Sequence, residues 1–143
     1  MRIKLWLGGY DIYIAWTLAL VSLIGSLYFS EILGIAPCLL CWYQRIFMYP
    51  LVFILGVGIL RKDKAVSSYV LPLSIVGTII ALYHNLLTWH VISETLAPCQ
   101  IGVSCVTQKF VALHFITIPL LSLVSFILIT VLMLFHRSAH SHA

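Results

Sequence analysis

The chain has 143 residues, of which 62% are hydrophobic and only 8% charged, and its formal net charge is +4. Because soluble domains carry about 25% charged residues, this chain lacks the polar surface that a globule in water requires. The composition predicts an integral membrane protein lying in the lipid bilayer. The small basic excess is explained by membrane topology and gives no reason to expect nucleic acid binding.

Four long apolar segments predict four transmembrane helices. Each is close to the roughly 20 residues that cross a hydrocarbon core. The predicted spans are 12–30, 42–60, 69–87 and 113–135. Little chain remains outside them, so we expect an all-α four-helix bundle that forms one membrane domain over residues 1–143, with no separate soluble domain.

The first span, Ile12–Ser30, follows Arg2 and Lys4, a pattern that secretory signal peptides share. Its apolar part is longer than the 7–15 residues of the apolar region in such a peptide, and no convincing small-x-small cleavage site follows it. We therefore expect this span to be retained as a helix.

A CxxC pair, Cys38 and Cys41, stands at the start of the second span. This spacing is the usual form of a dithiol that cycles between oxidised and reduced states. Arg45 follows Cys41 by one helical turn, so its cation is expected on the face that carries the Cys41 sulfur. A helix N-terminus and a nearby cation both favour a thiolate, which we expect at Cys41.

A redox dithiol beside a cation in a membrane suggests electron transfer to an acceptor dissolved in the lipid, such as a quinone. Two polar side chains inside the predicted spans are candidates for contact with it. An arginine at the depth of Arg45 costs a few kcal/mol and is read as functional by default. Its guanidinium could donate to a quinone carbonyl that gains negative charge on reduction. His84, near the outer end of the third span, could donate to the same carbonyl or handle protons from the dithiol. We expect a cavity near Cys41, Arg45 and His84.

A second cysteine pair, Cys99 and Cys105, lies in the loop between the third and fourth spans. Four cysteines allow three pairings, and proximity favours Cys38–Cys41 with Cys99–Cys105. Two short-range pairs suggest a relay, because a structural bridge gains more by closing a long loop. Cross-pairing between the two pairs stays open as an intermediate of exchange.

Basic residues near the span ends predict the orientation in the membrane. They lie at the N-terminus, in the second connection and after the fourth span: Arg2, Lys4, Arg61, Lys62, Lys64 and Arg137. This bias predicts that both termini and the second connection are cytoplasmic. All four cysteines would then face the oxidising side, where disulfides persist.

Other functions remain open at this point. The chain could be a non-catalytic membrane protein with two structural disulfides. A zinc site on four cysteines is disfavoured by irregular spacing and an oxidising location, so we expect no metal. A protein that carries reducing electrons outward across the bilayer would need a cysteine within reach of the cytoplasm, and the predicted topology places none there. Arg45 could be only an interfacial anchor, and His84 only an interhelical hydrogen-bonding residue.

The sequence resembles the DsbB family of disulfide bond formation proteins, and most closely its short BdbC-type branch. The resemblance covers nearly the whole chain and rests on four spans, a second outer cysteine pair and the string Pro37-Cys38-Leu39-Leu40-Cys41-Trp42-Tyr43-Gln44-Arg45. It implies a protein of the bacterial cytoplasmic membrane that oxidises an extracytoplasmic, DsbA-like thioredoxin-fold thiol oxidase. The electrons would pass to a membrane quinone, either ubiquinone or menaquinone.

By position, the resemblance implies that Cys38 and Cys41 are the quinone-proximal pair, with Cys41 the sulfur that contacts the quinone. Arg45 matches the quinone-associated arginine, and His84 falls near a histidine of the third helix. Cys99 and Cys105 match the outer pair that meets the partner, with Cys99 forming the mixed disulfide.

Two departures from the better-known branch concern Gln44, which stands where that branch has an acid, and the outer pair, whose separation of five residues is far shorter.

Overall fold

The computed structural model describes residues 10–34, 37–92 and 117–141, and these residues are helical without strands. The helices are α1 (Asp11–Leu27), which continues into a π-helical turn (Tyr28–Ile32), α2 (Leu39–Arg61), α3 (Val66–Thr88) and α4 (Ile118–Ser141). All four are long and apolar enough to cross a membrane. The predicted all-α, four-helix membrane fold is therefore confirmed for the part of the chain that the structure describes.

The helix bounds differ from the predicted spans mainly at the starts of α2 and α3 and at both ends of α4. Helix α2 begins at Leu39, three residues before its predicted span, because Cys38 has an extended backbone and serves as the N-cap. Residues 113–116 of the fourth predicted span lie outside the described residues, and α4 begins at Ile118.

The four helices form a closed ring. Helix α1 packs against α2 and α4, and α3 packs against the same two helices. The ring encloses apolar side chains that are completely buried, among them Leu51, Leu55, Phe126 and Ile129. Large apolar side chains also cover the outer surface, such as Phe53, which is 71% exposed. Helices that are apolar on all sides are typical of membrane spans.

A tight turn between α2 and α3 determines which helix ends meet. Lys62 adopts a left-handed backbone conformation (φ 51°), and the Asp63 N–H donates to the carbonyl of Gly58 at 3.0 Å. This bond spans six residues and is the mark of a Schellman cap. The Asp63 carboxylate then accepts from the Ala65 N–H at 2.8 Å. Because the turn reverses the chain, the start of α2 lies beside the end of α3.

Candidate functional site

The CxxC cysteines lie at the N-terminus of α2. Cys38 caps the helix, and its sulfur accepts a hydrogen bond from the Cys41 N–H at 3.4 Å. The two sulfurs are 2.9 Å apart. A disulfide bond is about 2.05 Å long, so a small movement would convert the pair between dithiol and disulfide.

Cys38 is the sulfur that this environment favours as a thiolate. It precedes the membrane-spanning part of α2 and is only 2% exposed. A hydrogen bond from the Cys41 thiol lowers the pKa of Cys38, and His84 lowers it further, against burial, which raises it. The sequence placed the favoured thiolate at Cys41. In the structure, the hydrogen bond from the Cys41 thiol and the contact with His84 favour the thiolate at Cys38 instead.

A cavity of about 840 Å³, including its open mouth, lies between α1, α2 and α4. Its walls are mainly apolar, with contributions from Leu23, Phe29, Met48, Tyr49, Leu121 and Phe126. Its polar groups include Cys41, Gln44 and Arg45. Cys41 and Arg45 therefore face one cavity, as their spacing of one helical turn predicts.

Arg45 is held by the first helix. Its Nε donates to Ser26 Oγ at 2.8 Å and its Nη2 donates to the Ser26 carbonyl at 2.7 Å. The guanidinium also lies 5.8 Å from the centre of the Trp42 ring. An arginine has five N–H groups, so the contacts to Ser26 leave three for other acceptors. Sequence reasoning missed Ser26, since a serine within an apolar span carries no signal of its own.

His84 lies beside Cys38 but does not line the cavity. It is 1% exposed, with Nε2 at 3.8 Å from Cys38 Sγ and Nδ1 at 3.1 Å from Gln44 Nε2. Gln44 itself does line the cavity. The expected cavity therefore reaches Cys41 and Arg45 directly, whereas His84 is connected to it through Gln44.

Ser122 of α4 completes this polar cluster. Its hydroxyl donates to Gln44 Oε1 at 2.7 Å and also lies 2.9 Å from the Pro119 carbonyl. Asn85, next to His84, donates to the same carbonyl at 2.9 Å and so joins α3 to α4. Neither contact was predicted, because both depend on how the helices are rotated against one another.

The outer cysteines Cys99 and Cys105 lie outside the described residues. Within the described part, Cys38, Cys41 and His84 bring three potential ligand atoms within 4.8 Å of one another. A structural zinc ion takes four such ligands, and the described residues supply three.

A close CxxC cysteine pair at one end of a four-helix membrane bundle, together with the family that the chain matches, defines the class of protein, a membrane thiol oxidoreductase. The family model for disulfide bond formation protein DsbB matches residues 12–136. The chain belongs to this family, which confirms the resemblance seen in the sequence.

Relatives with assigned names support this membership. Disulfide bond formation protein C of Bacillus subtilis is 48% identical over 122 residues, 85% of this chain and 88% of the relative. A probable disulfide formation protein C 2 of Bacillus cereus is 43% identical over 89% of this chain and 91% of its own length. A probable disulfide formation protein of Deinococcus radiodurans is 40% identical, with 88% of each chain covered. No solved structure matches the chain.

Proposed function

We propose that the protein is a membrane thiol oxidase that reoxidises an extracytoplasmic thioredoxin-fold disulfide donor. The electrons pass through two cysteine pairs to a membrane quinone, which supports disulfide formation in exported proteins. The observation that carries this proposal is the shared cavity of Cys41 and Arg45, with the Cys38 sulfur 2.9 Å from that of Cys41. Family membership establishes the broader role in disulfide bond formation.

The cavity suits a ligand with a flat apolar ring and carbonyl oxygens. Its apolar walls can pack against such a ring, and Arg45 retains N–H donors that its contacts to Ser26 do not use. A quinone, whether ubiquinone or menaquinone, supplies the capacity to accept two electrons and two protons. Arg45 would bind a carbonyl oxygen and stabilise the negative charge that develops there.

The two cysteines supply the electrons and protons that reduce the quinone. Oxidation joins Cys38 and Cys41 in a disulfide and releases two electrons and two protons, which balances the reduction of one quinone to a quinol. Cys41 lines the cavity and is the sulfur from which electrons leave. Cys38 is buried behind it, where His84 Nε2 lies 3.8 Å from its sulfur.

The outer pair links this site to the partner. The partner arrives reduced, and its thiolate attacks the Cys99–Cys105 disulfide at Cys99, which forms a mixed disulfide and releases the Cys105 thiolate. The partner's second thiol then resolves this mixed disulfide, which leaves the partner oxidised and Cys99 and Cys105 as a dithiol. The resulting dithiol is then oxidised by the Cys38–Cys41 disulfide through a second exchange. This part of the proposal rests on the sequence and on family membership.

The proposed orientation puts the site on the extracytoplasmic side of the cell membrane. The dithiol and His84 lie at the end of the bundle opposite the basic connection between α2 and α3. Positive residues favour the cytoplasm, so this connection and both termini would be cytoplasmic. The cysteines would then face the compartment in which disulfides persist.

The proposal is tested with purified protein in vesicles that contain ubiquinone or menaquinone, mixed with a reduced DsbA-like protein. We expect quinone-dependent oxidation of this partner, and Cys41→Ser should abolish it. Ser74→Ala is a matched control, because Ser74 is a buried serine that donates only to the Leu71 carbonyl among the described residues. Full turnover in Cys41→Ser would contradict the mechanism.

A redox titration separates this function from two structural disulfides. Structural disulfides typically have potentials below about −300 mV and resist reduction by glutathione. We expect both cysteine pairs to titrate at higher potentials.

A further inference from the structure

A chain of hydrogen bonds connects α4, α2 and α3 behind the dithiol. Ser122 Oγ donates to Gln44 Oε1 at 2.7 Å, and Gln44 Nε2 lies 3.1 Å from His84 Nδ1. His84 Nε2 in turn lies 3.8 Å from Cys38 Sγ. Gln44 and His84 are 7% and 1% exposed. Because buried polar groups are paired, each contact should join a donor to an acceptor.

The amide of Gln44 determines which ring nitrogen of His84 carries the proton. An amide oxygen only accepts and an amide nitrogen only donates. With Oε1 bound to the Ser122 hydroxyl, Nε2 faces Nδ1, so Nδ1 has to be an acceptor. In a neutral imidazole the proton then resides on Nε2, the nitrogen that faces the Cys38 sulfur.

We propose that Gln44 is a positioning residue that holds the neutral His84 ring in its Nε2–H form and so directs a hydrogen-bond donor at Cys38. This inference rests on the proposed function, in which Cys38 is the buried member of the redox pair. Cys38 Sγ already accepts from the Cys41 N–H and lies 2.9 Å from the Cys41 thiol. The donor from His84 adds to these two, and it is the one that depends on Gln44.

The reversed amide would have the opposite effect. If the single proton of Ser122 were donated to Pro119, the Ser122 oxygen could accept from Gln44 Nε2. Gln44 Oε1 would then face Nδ1, which would have to carry the proton, and His84 would present a lone pair to the sulfur. That lone pair would repel a thiolate. The shorter contact of Ser122, at 2.7 Å against 2.9 Å, is the one to Gln44.

The protonation of the His84 ring tests the proposal directly. It is measured by ¹⁵N NMR of the reduced full-length protein labelled with ring-¹⁵N histidine at pH 8, with His84 assigned by comparison with His84→Gln. We expect a protonated Nε2 and an unprotonated Nδ1. Gln44→Leu removes the amide at similar volume and should give a mixture of both tautomers. A proton on Nδ1 in the wild type, or an unchanged spectrum in Gln44→Leu, would overturn the proposal.

A second readout separates positioning from a structural role. Thiolate absorbance of Cys38 at 240 nm, taken as the difference from the matching Cys38→Ser variant, should titrate about one pH unit higher in Gln44→Leu, the tenfold change expected for one lost hydrogen bond to a charged group. Gln44→Glu should restore the midpoint, because a carboxylate at this position favours an imidazolium that keeps its Nε2–H. Ser74→Ala should titrate like the wild type. Equal midpoints in Gln44→Leu and the wild type would also overturn the proposal.

The experiments can contradict the proposed function and the role of Gln44 independently of each other. If partner oxidation continues without Cys38 and Cys41 while the NMR spectrum shows the Nε2–H form, the proposed function is wrong and the role of Gln44 in holding the ring stands. If cysteine variants are inactive but the proton is on Nδ1, the proposed function stands and the role of Gln44 is wrong.

Discussion

Arg45 and Ser26 show how one contact between helices converts a buried charge into an oriented donor. Arg45 is 8% exposed, and its guanidinium makes two hydrogen bonds to Ser26, one to the hydroxyl and one to the carbonyl. A planar guanidinium held at two points has its remaining N–H groups directed, whereas an ammonium group would be a point charge. The orientation of Arg45 in the cavity therefore depends on α1 as well as on α2.

Ser26→Ala should weaken quinone binding without removing the charge. We expect the KM for quinone to rise about three- to tenfold, which lies within the range for one typical hydrogen bond of about 0.5–1.5 kcal/mol, while kcat changes little. Quinone titrations of the partner-oxidation assay measure both constants. Ser30→Ala is the control, since Ser30 is a half-buried serine of the π-helical turn that lies outside the cavity lining. An unchanged KM in both Ser26→Ala and Arg45→Ala would make Arg45 an interfacial anchor.

The lowered pKa of Cys38 predicts a thiolate at neutral pH in the reduced protein. A thiol with a lowered pKa is deprotonated above that value, so the thiolate should persist as pH falls from 9 to 7 and disappear only at more acidic pH. Thiolate absorbance at 240 nm, taken as the difference between the wild type and Cys38→Ser, measures this. His84→Ala should shift the titration to higher pH, because it removes a group that lowers the pKa of Cys38. A midpoint at the usual thiol value of about 8.5 would contradict the assignment.

At the scale of the elements, close packing between α3 and α4 depends on a glycine. A Cβ at Gly77 would clash with the ring of Phe126, which is completely buried in the core. Small residues let membrane helices approach closely in this way. This packing keeps the helix that carries His84 against the helix that carries Ser122.

Gly77→Ala should destabilise the bundle, since overpacking a well-packed site costs about 1–3 kcal/mol. We expect a lower Tm in detergent, measured by intrinsic fluorescence. Gly25→Ala is the matched control, because a Cβ at Gly25 meets no atom within 4 Å. Equal Tm values for Gly77→Ala and the wild type would show that α3 and α4 can separate without loss of stability.

The elements themselves were largely predictable, because the length and apolarity of a membrane span are properties of the sequence alone. The shared face of Cys41 and Arg45 followed from helical periodicity in the same way. The predicted start of α2 lay three residues too far along the chain, because an apolar run does not reveal that Cys38 caps the helix through its sulfur. The contacts of Gln44 with Ser122 and His84 join three helices, and no local pattern specifies how those helices are rotated.

At the scale of the whole molecule, the ring of helices separates two environments around one dithiol. Cys41 faces the cavity between α1, α2 and α4, whose lining includes no residue of α3. Cys38 lies in the core and contacts His84 of α3 on its other side. Under the proposed function, electrons would leave the pair through Cys41 at the cavity, while His84 would hold the Cys38 sulfur from the opposite side.

The most direct test of the central claim is the stoichiometry of a single turnover. Fully reduced DsbA-like partner is mixed with vesicles that contain the protein and a quinone, and both partner thiols and quinol are counted. The account predicts one quinol for every two partner thiols oxidised, and none in Cys41→Ser. Oxidation of the partner without quinol, or an equal yield of quinol in Cys41→Ser, would contradict it.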